Sequence, residues 1–451
     1  MAVIDCVTFF NELDILEIRL RELYDTVDRF VLVEATHTHA GQPKPLYFEQ
    51  HKERFKDWLP KIRHIIVHDL PAGDGLPGTR RREMAQRNAI LRGLFDADDT
   101  DVVLISDVDE IPRRSHIPRT LDPGVVAVYD QTLSYYNLNT TCTNARWRGT
   151  RAAPAADVRA LSPHVIRYGL GMPDEHYPRY ALVEGGGWHL SYFGDVAHIQ
   201  QKMTSFLHQE LIDDTTTDPG TIAERIAAGV DAYGRDDQQF EIGPAADLPV
   251  AVLLDPMRWV HLFHPDWRPD FHEDWYSGTQ ALVVAELARH APAGGALVEI
   301  GCWEGRSAFV IAQAVAPRTL HCVDHWRGNE AEGDDHPATV AARERDVYRT
   351  FRQNMTRLTA GEFVPIILGW EEWITGWRQG NNPAIAFLHL DAAHDYQSVF
   401  DCLEAVKPHL IPGAILCGDD WYHREVMMAV TDALGERVQV LGGRLWVYQH
   451  D

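Results

Sequence analysis

Val102-Val103-Leu104-Ile105 is an unbroken aliphatic run that stops abruptly at Ser106-Asp107-Val108-Asp109-Glu110-Ile111-Pro112. It has strand character and ends in two carboxylates two residues apart, which makes its carboxyl end the polar edge of a sheet. In an extended chain, side chains at i and i+2 point to the same face. Asp107 and Asp109 are therefore expected to meet at one divalent cation, or at one cation and a ribose. Hard cations take oxygen ligands, and Mg²⁺ or Mn²⁺ commonly joins one or two carboxylates to substrate phosphates. Such an edge suits an enzyme whose leaving group is a nucleoside diphosphate. The competing reading makes the two acids ordinary loop acids or caps, and the context decides between them.

The context comes from the first 210 residues. Asp5 to Phe10 reads as a short strand, Asn11-Glu12 as a polar turn, and the next stretch as an amphipathic helix with Leu13, Leu16, Leu20 and Leu23 on its apolar side. A second strand, Phe30-Val31-Leu32-Val33, ends in Glu34. Gly41-Gln42-Pro43-Lys44-Pro45-Leu46-Tyr47-Phe48 follows, then a helix from Arg80 to Phe95, then the acidic strand end, then Gly185-Gly186-Gly187-Trp188-His189-Leu190-Ser191-Tyr192-Phe193-Gly194. Together, over roughly residues 4 to 240, these segments resemble glycosyltransferase family 17, the family of the bisecting β-1,4-N-acetylglucosaminyltransferases.

The resemblance implies an inverting transferase with a GT-A-like fold, a nucleotide-sugar donor (a UDP-sugar) and a glycan acceptor. Asp107 and Asp109 then take the metal and donor role. Phe10, Asn11, Glu12 and Glu34 stand at early strand ends, where an open α/β sheet binds its nucleotide. Arg87 is a candidate for the diphosphate, because a guanidinium matches phosphate geometry at two points. His189, after three glycines, reads either as a further metal or diphosphate ligand or as a hydrogen-bonded core histidine. Asp195 and Glu184 are both candidates for the base that deprotonates the acceptor hydroxyl, and either can be an ordinary loop acid. Arg80, Arg81 and Arg82 read as a solvated helix start.

Animal members of that family begin with a membrane anchor. Here no segment approaches the 18 or more apolar residues a spanning helix needs, and Met1-Ala2-Val3-Ile4-Asp5 lacks the features of a signal peptide. The six cysteines (6, 142, 302, 322, 402 and 417) show no C-x-x-C pairing and read as free thiols of a reducing, cytoplasmic compartment. The net charge of −24 argues against nucleic acid or an anionic membrane as partner. A homo-oligomer is compatible with all of this.

Residues 251–278, with Pro256, Pro265, Pro269 and many aromatics, read as a connector packed between two domains, 1–250 and 279–451. His261, His264 and His272 in it are too irregularly spaced to argue strongly for a metal site. Beyond it the pattern changes. A helix from Thr279 to His290 leads to the strand Ala296-Leu297-Val298-Glu299-Ile300, the turn Gly301-Cys302-Trp303-Glu304-Gly305 and a helix from Arg306 to Ala316. The dinucleotide fingerprint G-x-G-x-x-G is absent. The looser E-x-G-x-x-x-G resembles motif I of class I S-adenosylmethionine-dependent methyltransferases. Glu299, Gly301 and Gly305 then line the cofactor, and Asp324, 23 residues beyond Gly301 at the next strand end, takes the adenosine ribose.

Further strands at 364–368, 384–390 and 414–417, and a terminal hairpin over 438–448 turning at Gly442-Gly443, complete a Rossmann-like layout. Asp391 ends one strand and Asp419-Asp420 the next. Neighbouring parallel strands place these ends side by side, so the three acids are expected to share one Mg²⁺ or Mn²⁺, with His394, one turn beyond Asp391, taking a proton from a sugar hydroxyl. The competing reading has Asp419 and Asp420 merely capping the next helix. This D-x-x-H … D-D arrangement resembles metal-dependent sugar O-methyltransferases, as does Trp326-Arg327-Gly328-Asn329-Glu330. The expectation is a bifunctional glycan- or polysaccharide-building enzyme. The alternative is a single activity with one half as a non-catalytic binding module.

Overall fold

Two separate sheets organise the chain, each inside its own unit. The structure, a computed structural model, describes residues 1–169, 179–205, 211–329 and 332–451. One unit comprises Met1–Gly243, Pro249–Ala251 and Leu262–His264, and the other Pro244–Leu248, Val252–His261 and Pro265–Asp451. The second unit therefore begins before the expected boundary at 279. Arg306 donates to the Leu254 carbonyl at 3.3 Å and Ala245 N to the Arg357 carbonyl at 3.0 Å, so much of the expected connector belongs to the second unit.

In the first unit β1 (Val3–Phe9), β2 (Arg29–Ala35), β3 (Ile62–Val67) and β4 (Val102–Asp107) run parallel in the order β3-β2-β1-β4. The runs of β1 and β4 are continuous rather than alternating because both faces are covered. Val3, Val7 and Phe9 join one core with Leu16 and Leu20, whereas Ile4 and Cys6 join another with Ala89, Ile90 and Leu94. The strand order reverses between β1 and β4, where Thr8 lies opposite Asp107. That switch point is where an open sheet leaves a crevice at its carboxyl edge.

Beyond β4 come β5 (Glu110–Pro112), β6 (Val125–Tyr135), β7 (Thr140–Cys142), β8 (Trp147–Pro154), β9 (Arg179–Ser191) and β10 (Phe240–Ile242). β8 is antiparallel to both β4 and β6. β9 runs along β6 and also pairs with β5, which sets His189 opposite Glu110.

Helix Leu13–Leu23 buries three charged side chains, Glu17, Arg19 and Glu22. Arg19 and Asp5 are both fully buried. The guanidinium grips the two Asp5 oxygens at 2.6 and 2.7 Å, Ser106 Oγ at 2.7 Å, and the carbonyls of Glu110 at 2.7 Å and Asp107 at 3.3 Å. Arg19 thereby ties β1 to the turn that carries the acids.

The second unit holds β11 (Ala296–Ile300), β12 (Leu320–Asp324), β13 (Phe363–Ile367), β14 (Ile385–Leu390), β15 (Leu410–Gly418), β16 (Gln439–Leu441) and β17 (Leu445–Gln449). Its order is β13-β12-β11-β14-β15-β17-β16, parallel except for β17 and β16. This is the Rossmann-like methyltransferase layout expected. Gly442 and Gly443 take φ of +59° and +71° in the hairpin turn, which spans Gly442 to Arg444 between the paired Leu441 and Leu445; glycine meets such left-handed positions without strain. Among the described residues no helix is long and apolar enough to cross a membrane, and all six cysteines are free and buried.

Removing one partner of a buried ion pair leaves the other charge uncompensated. Arg19→Leu should therefore destabilise the first unit by about 3–5 kcal/mol, read as an early transition in urea unfolding of the full chain. A loss no larger than that of an exposed pair, below about 1 kcal/mol, would contradict the clamp.

Candidate functional sites

At the switch point of the first unit the two carboxylates are each met by a different cation. β4 ends at Asp107, and the chain turns through 108 and 109 so that β5 can pair with β9. The i, i+2 rule holds only for extended chain. Asp107 Oδ1 accepts from Thr8 Oγ1 at 2.7 Å and from Arg87 Nη2 at 2.8 Å. Asp109 Oδ2 accepts from Lys202 Nζ at 2.7 Å, and the same ammonium lies 3.0 Å from Glu12 Oε1. His189 Nε2 stands 3.7 Å from Asp109 Oδ1 and its ring stacks on Trp147 at 4.6 Å. His189 Nδ1 has no partner among the described residues.

Around this pair, Arg167 bonds Glu110, which also accepts from Trp147 Nε1 at 2.7 Å and from the Asp107 amide at 3.0 Å. Arg87 is shared with Glu83 at 2.7 Å. The Tyr168 ring covers both guanidiniums at 4.9 and 5.1 Å. Desolvation alone would raise the acids' proton affinity. Against it, Arg87 and Arg167 hold Asp107, and Lys202 and His189 hold Asp109, well below the usual carboxylate range. Among the described residues no three His, Cys, Asp or Glu ligand atoms come within 4.8 Å of one another here. Lysine and arginine already hold both acids.

The other expected residues of this half separate. Asn11 Nδ2 donates to Gln201 at 3.0 Å beside Glu12, and Phe10 meets Tyr47 edge-on at 5.9 Å, with Lys44 over both rings. Glu34 is fully buried and spent on Lys44, His64 and the Phe48 amide, so it anchors the Gly41–Phe48 segment instead of facing a ligand. Asp195 is exposed and accepts from the His198 amide at 2.8 Å as a helix cap. Glu184 is exposed on β9, five residues before His189, with an irregularity of the strand between Val183 and Gly187 separating them. Arg82 is not solvated: it is buried and donates to the His39 and Gly73 carbonyls, both at 2.6 Å.

In the second unit the carboxyl ends of β11, β12, β14 and β15 open onto a cavity of about 950 Å³. Gly301 stands at its wall with φ +86°, and a Cβ there would lie 1.8 Å from the Asp391 carbonyl, so only glycine fits between the strand ends. Asp324 Oδ2 accepts from the Cys302 and Trp303 amides at 2.9 Å each, and Oδ1 from Trp326 N at 2.6 Å. Asp324 thus shapes the glycine turn while lining the cavity. Two expected cofactor residues lie elsewhere. Glu299 is fully buried and pairs with His389 at 2.9 Å, which meets the Tyr276 hydroxyl at 3.1 Å. Gly305 turns toward Phe351 and Met355.

Asp391, Asp419 and Asp420 present ligand atoms within 4.8 Å of one another. Asp419 is steadied by Gln280 at 2.7 Å and Arg444 at 2.9 Å. Desolvation, with Asp419 and Asp420 adding to it against the pull of His389, pushes the Asp391 carboxyl up to about 7. Asp420 takes φ +61°, a sparsely populated conformation for a non-glycine residue. The capping alternative fails, since the following helix Arg424–Leu434 starts at His423 with no side-chain cap. An all-oxygen set with too little positive charge beside it fits Mg²⁺ or Mn²⁺.

His394 precedes the helix cap Asp395 and is not itself helical. Its Nε2 lies 2.8 Å from Asp420, a bond that pushes it up to about 9, and its Nδ1 lies 2.8 Å from Glu332. Glu330 lies outside the described residues. Of the three connector histidines, His264 N donates to Asn139 and His272 pairs with Glu304; among the described residues they form no metal cluster.

The sequence model of glycosyltransferase family 17 matches residues 1–240. The chain belongs to glycosyltransferase family 17. A methyltransferase domain is matched over residues 298–421, so the family 17 unit is joined to a second transferase domain. The chain is similar to the β-1,4-mannosyl-glycoprotein 4-β-N-acetylglucosaminyltransferases of Rattus norvegicus and Homo sapiens, 31 % identical over 121 residues in each case. These matches span 26 % of this chain and 22 % of the relatives' length. Among solved structures it is similar to the O-methyltransferase NovP (18 % identity, 45 % of this chain, 96 % of that one, TM-score 0.32). It is also similar to a TDP-rhamnose 3′-O-methyltransferase of calicheamicin biosynthesis (19 %, 38 %, 79 %, TM-score 0.28).

Sequence reasoning about the family 17 unit missed Lys202 and Arg167. Lys202 stands on helix Val196–Ser205, where a lysine reads as solvent-facing, and Arg167 on the short helix Pro163–Tyr168. No local signal marks either, since their partners lie 57 to 190 residues away. In the methyltransferase domain, Gly301→Ala should cost at least about 1–3 kcal/mol from backbone strain alone. It should also lower affinity for S-adenosylmethionine in calorimetric titration. Unchanged stability and binding would contradict the close approach at Asp391.

Proposed function

We propose that the chain carries two activities, sugar transfer in its first unit and O-methylation of a sugar hydroxyl in its second. The observation that carries the second is the presence of Gly301 and the Asp391–Asp419–Asp420 cluster in one cavity. The glycine wall suits close backbone approach by S-adenosylmethionine, and the acids would hold Mg²⁺ or Mn²⁺. A divalent ion bound there would lower the proton affinity of an acceptor hydroxyl. Glu332 accepts from His394 Nδ1, which leaves Nε2 as the atom that takes the acceptor's proton once Asp420 is engaged elsewhere. Arg444 and Gln280 keep Asp419 aimed inward.

For the first unit, membership of family 17 and the location of Asp107 and Asp109 at the switch point support inverting transfer from a UDP-sugar to a glycan hydroxyl. The similar mammalian proteins make N-acetylglucosamine the first sugar to test. Arg87 and Lys202 would face the diphosphate. Of the two candidate bases Asp195 is favoured, because it shares His198 as a neighbour with Glu12 and Lys202.

The two halves are separable by variants of the full chain. Asp391→Ala or Asp419→Ala should lower methyl transfer on the order of 100-fold while S-adenosylmethionine binding and sugar transfer persist, and excess EDTA should reproduce the methylation defect. Asp109→Ala should abolish sugar transfer and spare methylation. Full methylation in EDTA would show the second cluster to be structural, and unchanged sugar transfer in Asp109→Ala would remove that acid from the donor site.

A further inference from the structure

Lys202 occupies the space between Asp109 and Glu12. Its ammonium sits 2.7 Å from Asp109 and 3.0 Å from Glu12, with little of the side chain exposed. Burial disfavours its charge, yet Asp109 and Glu12 hold its proton more tightly than usual. Among the described residues, the carboxylates of Glu12, Glu83, Asp107, Asp109 and Glu110 face the cations of Arg87, Arg167 and Lys202. Five carboxylates against three cations leave an excess of two negative charges. A nucleoside diphosphate arriving alone would deepen that excess in a partly dehydrated crevice. The diphosphate of a nucleotide sugar, with its two negative charges, would leave the excess unchanged when it arrives with a divalent cation, and would offer the ammonium new oxygen partners. The lysine stem has four rotatable carbons and its head is a compact point charge, so it can move from carboxylate to phosphate without refolding the helix. Arg87 and Arg167, with planar forks fixed under Tyr168, have no such freedom.

We infer that Lys202 is an internal stand-in cation, which keeps divalent metal out of the family 17 site until a nucleoside diphosphate draws the ammonium away from Asp109. The inference rests on the proposed donor-binding role of this crevice. It makes Asp109, together with Asp107 or His189, a cation site only in the donor-bound protein. It also makes Lys202 a diphosphate contact and not merely a structural partner.

The test counts Mn²⁺ held per chain, by electron paramagnetic resonance of the unbound ion, in the full-length protein with and without UDP. UDP-retained protein is compared with a protein-free UDP control. In the wild type, UDP should raise the count by one. In Lys202→Met that additional ion should already be held without UDP, and UDP affinity in the presence of Mn²⁺ should fall about tenfold or more, the loss of one charge-assisted contact. Lys202→Arg keeps a cation there and should show the UDP-dependent increment of the wild type, which guards against misfolding of the methionine variant. An equal Mn²⁺ count in wild type and Lys202→Met without UDP would overturn the inference, as would UDP binding in EDTA with no increment on adding Mn²⁺. In either case the donor-binding reading would stand. Failure to retain UDP under any condition would overturn that reading and the inference with it.

Discussion

The fork of Arg19 on Asp5 sets the geometry on which the first site depends. A single guanidinium, wholly buried, joins β1 to the carbonyls at 107 and 110 and to Ser106. Those are the backbone positions that decide where Asp107 and Asp109 point. A bidentate pair of this kind is directional, so the turn at the end of β4 is held from behind while the acids face the crevice. Glu110 repeats the device from the other side: its carboxylate takes Arg167, Trp147 and the Asp107 amide, and its carbonyl takes Arg19.

The two acidic strand ends of this chain look alike in sequence and differ in electrostatics. In the family 17 unit the described acids at the edge each have a lysine or arginine within hydrogen-bonding distance, and Asp107 and Asp109 are held strongly ionised. In the methyltransferase domain Arg444 reaches Asp419, while at Asp391 burial, Asp419, Asp420 and Glu299 outweigh His389 and push the carboxyl toward the neutral form. Carboxylates that each have a fixed cation beside them resist a free cation more than carboxylates that lack one. The same residue type at the same kind of strand end therefore stands in two different electrostatic settings.

Much of the architecture was legible because it rests on local patterns. Continuous aliphatic runs marked β4, β11 and β14, and Gly442-Gly443 marked the terminal hairpin. Gly301 was legible as a residue the backbone must pass closely, since a glycine at a strand end has few other reasons to be there. Partners brought together by topology were not legible. The turn at 108–109 exists because β5 pairs with β9, nearly eighty residues on. Glu299 looks like a cofactor acid until His389 on the neighbouring strand claims it. Glu34 looks like a strand-end ligand until His64 and the Phe48 amide close over it. Lys202 is invisible for the same reason, because helical spacing shows which face it shares but not which acid it meets.

On the proposed function the two sites carry two independent chemistries, each with its own co-substrate. The most direct test is mass spectrometry of a host glycan pool treated with the full-length protein, Mn²⁺, UDP-N-acetylglucosamine and S-adenosylmethionine, each co-substrate also being supplied alone. The account predicts products gaining an N-acetylhexosamine only when the nucleotide sugar is present and a methyl group only when S-adenosylmethionine is present. Products that gain one modification and never the other, whichever co-substrates are supplied, would contradict it and leave one unit as a binding module.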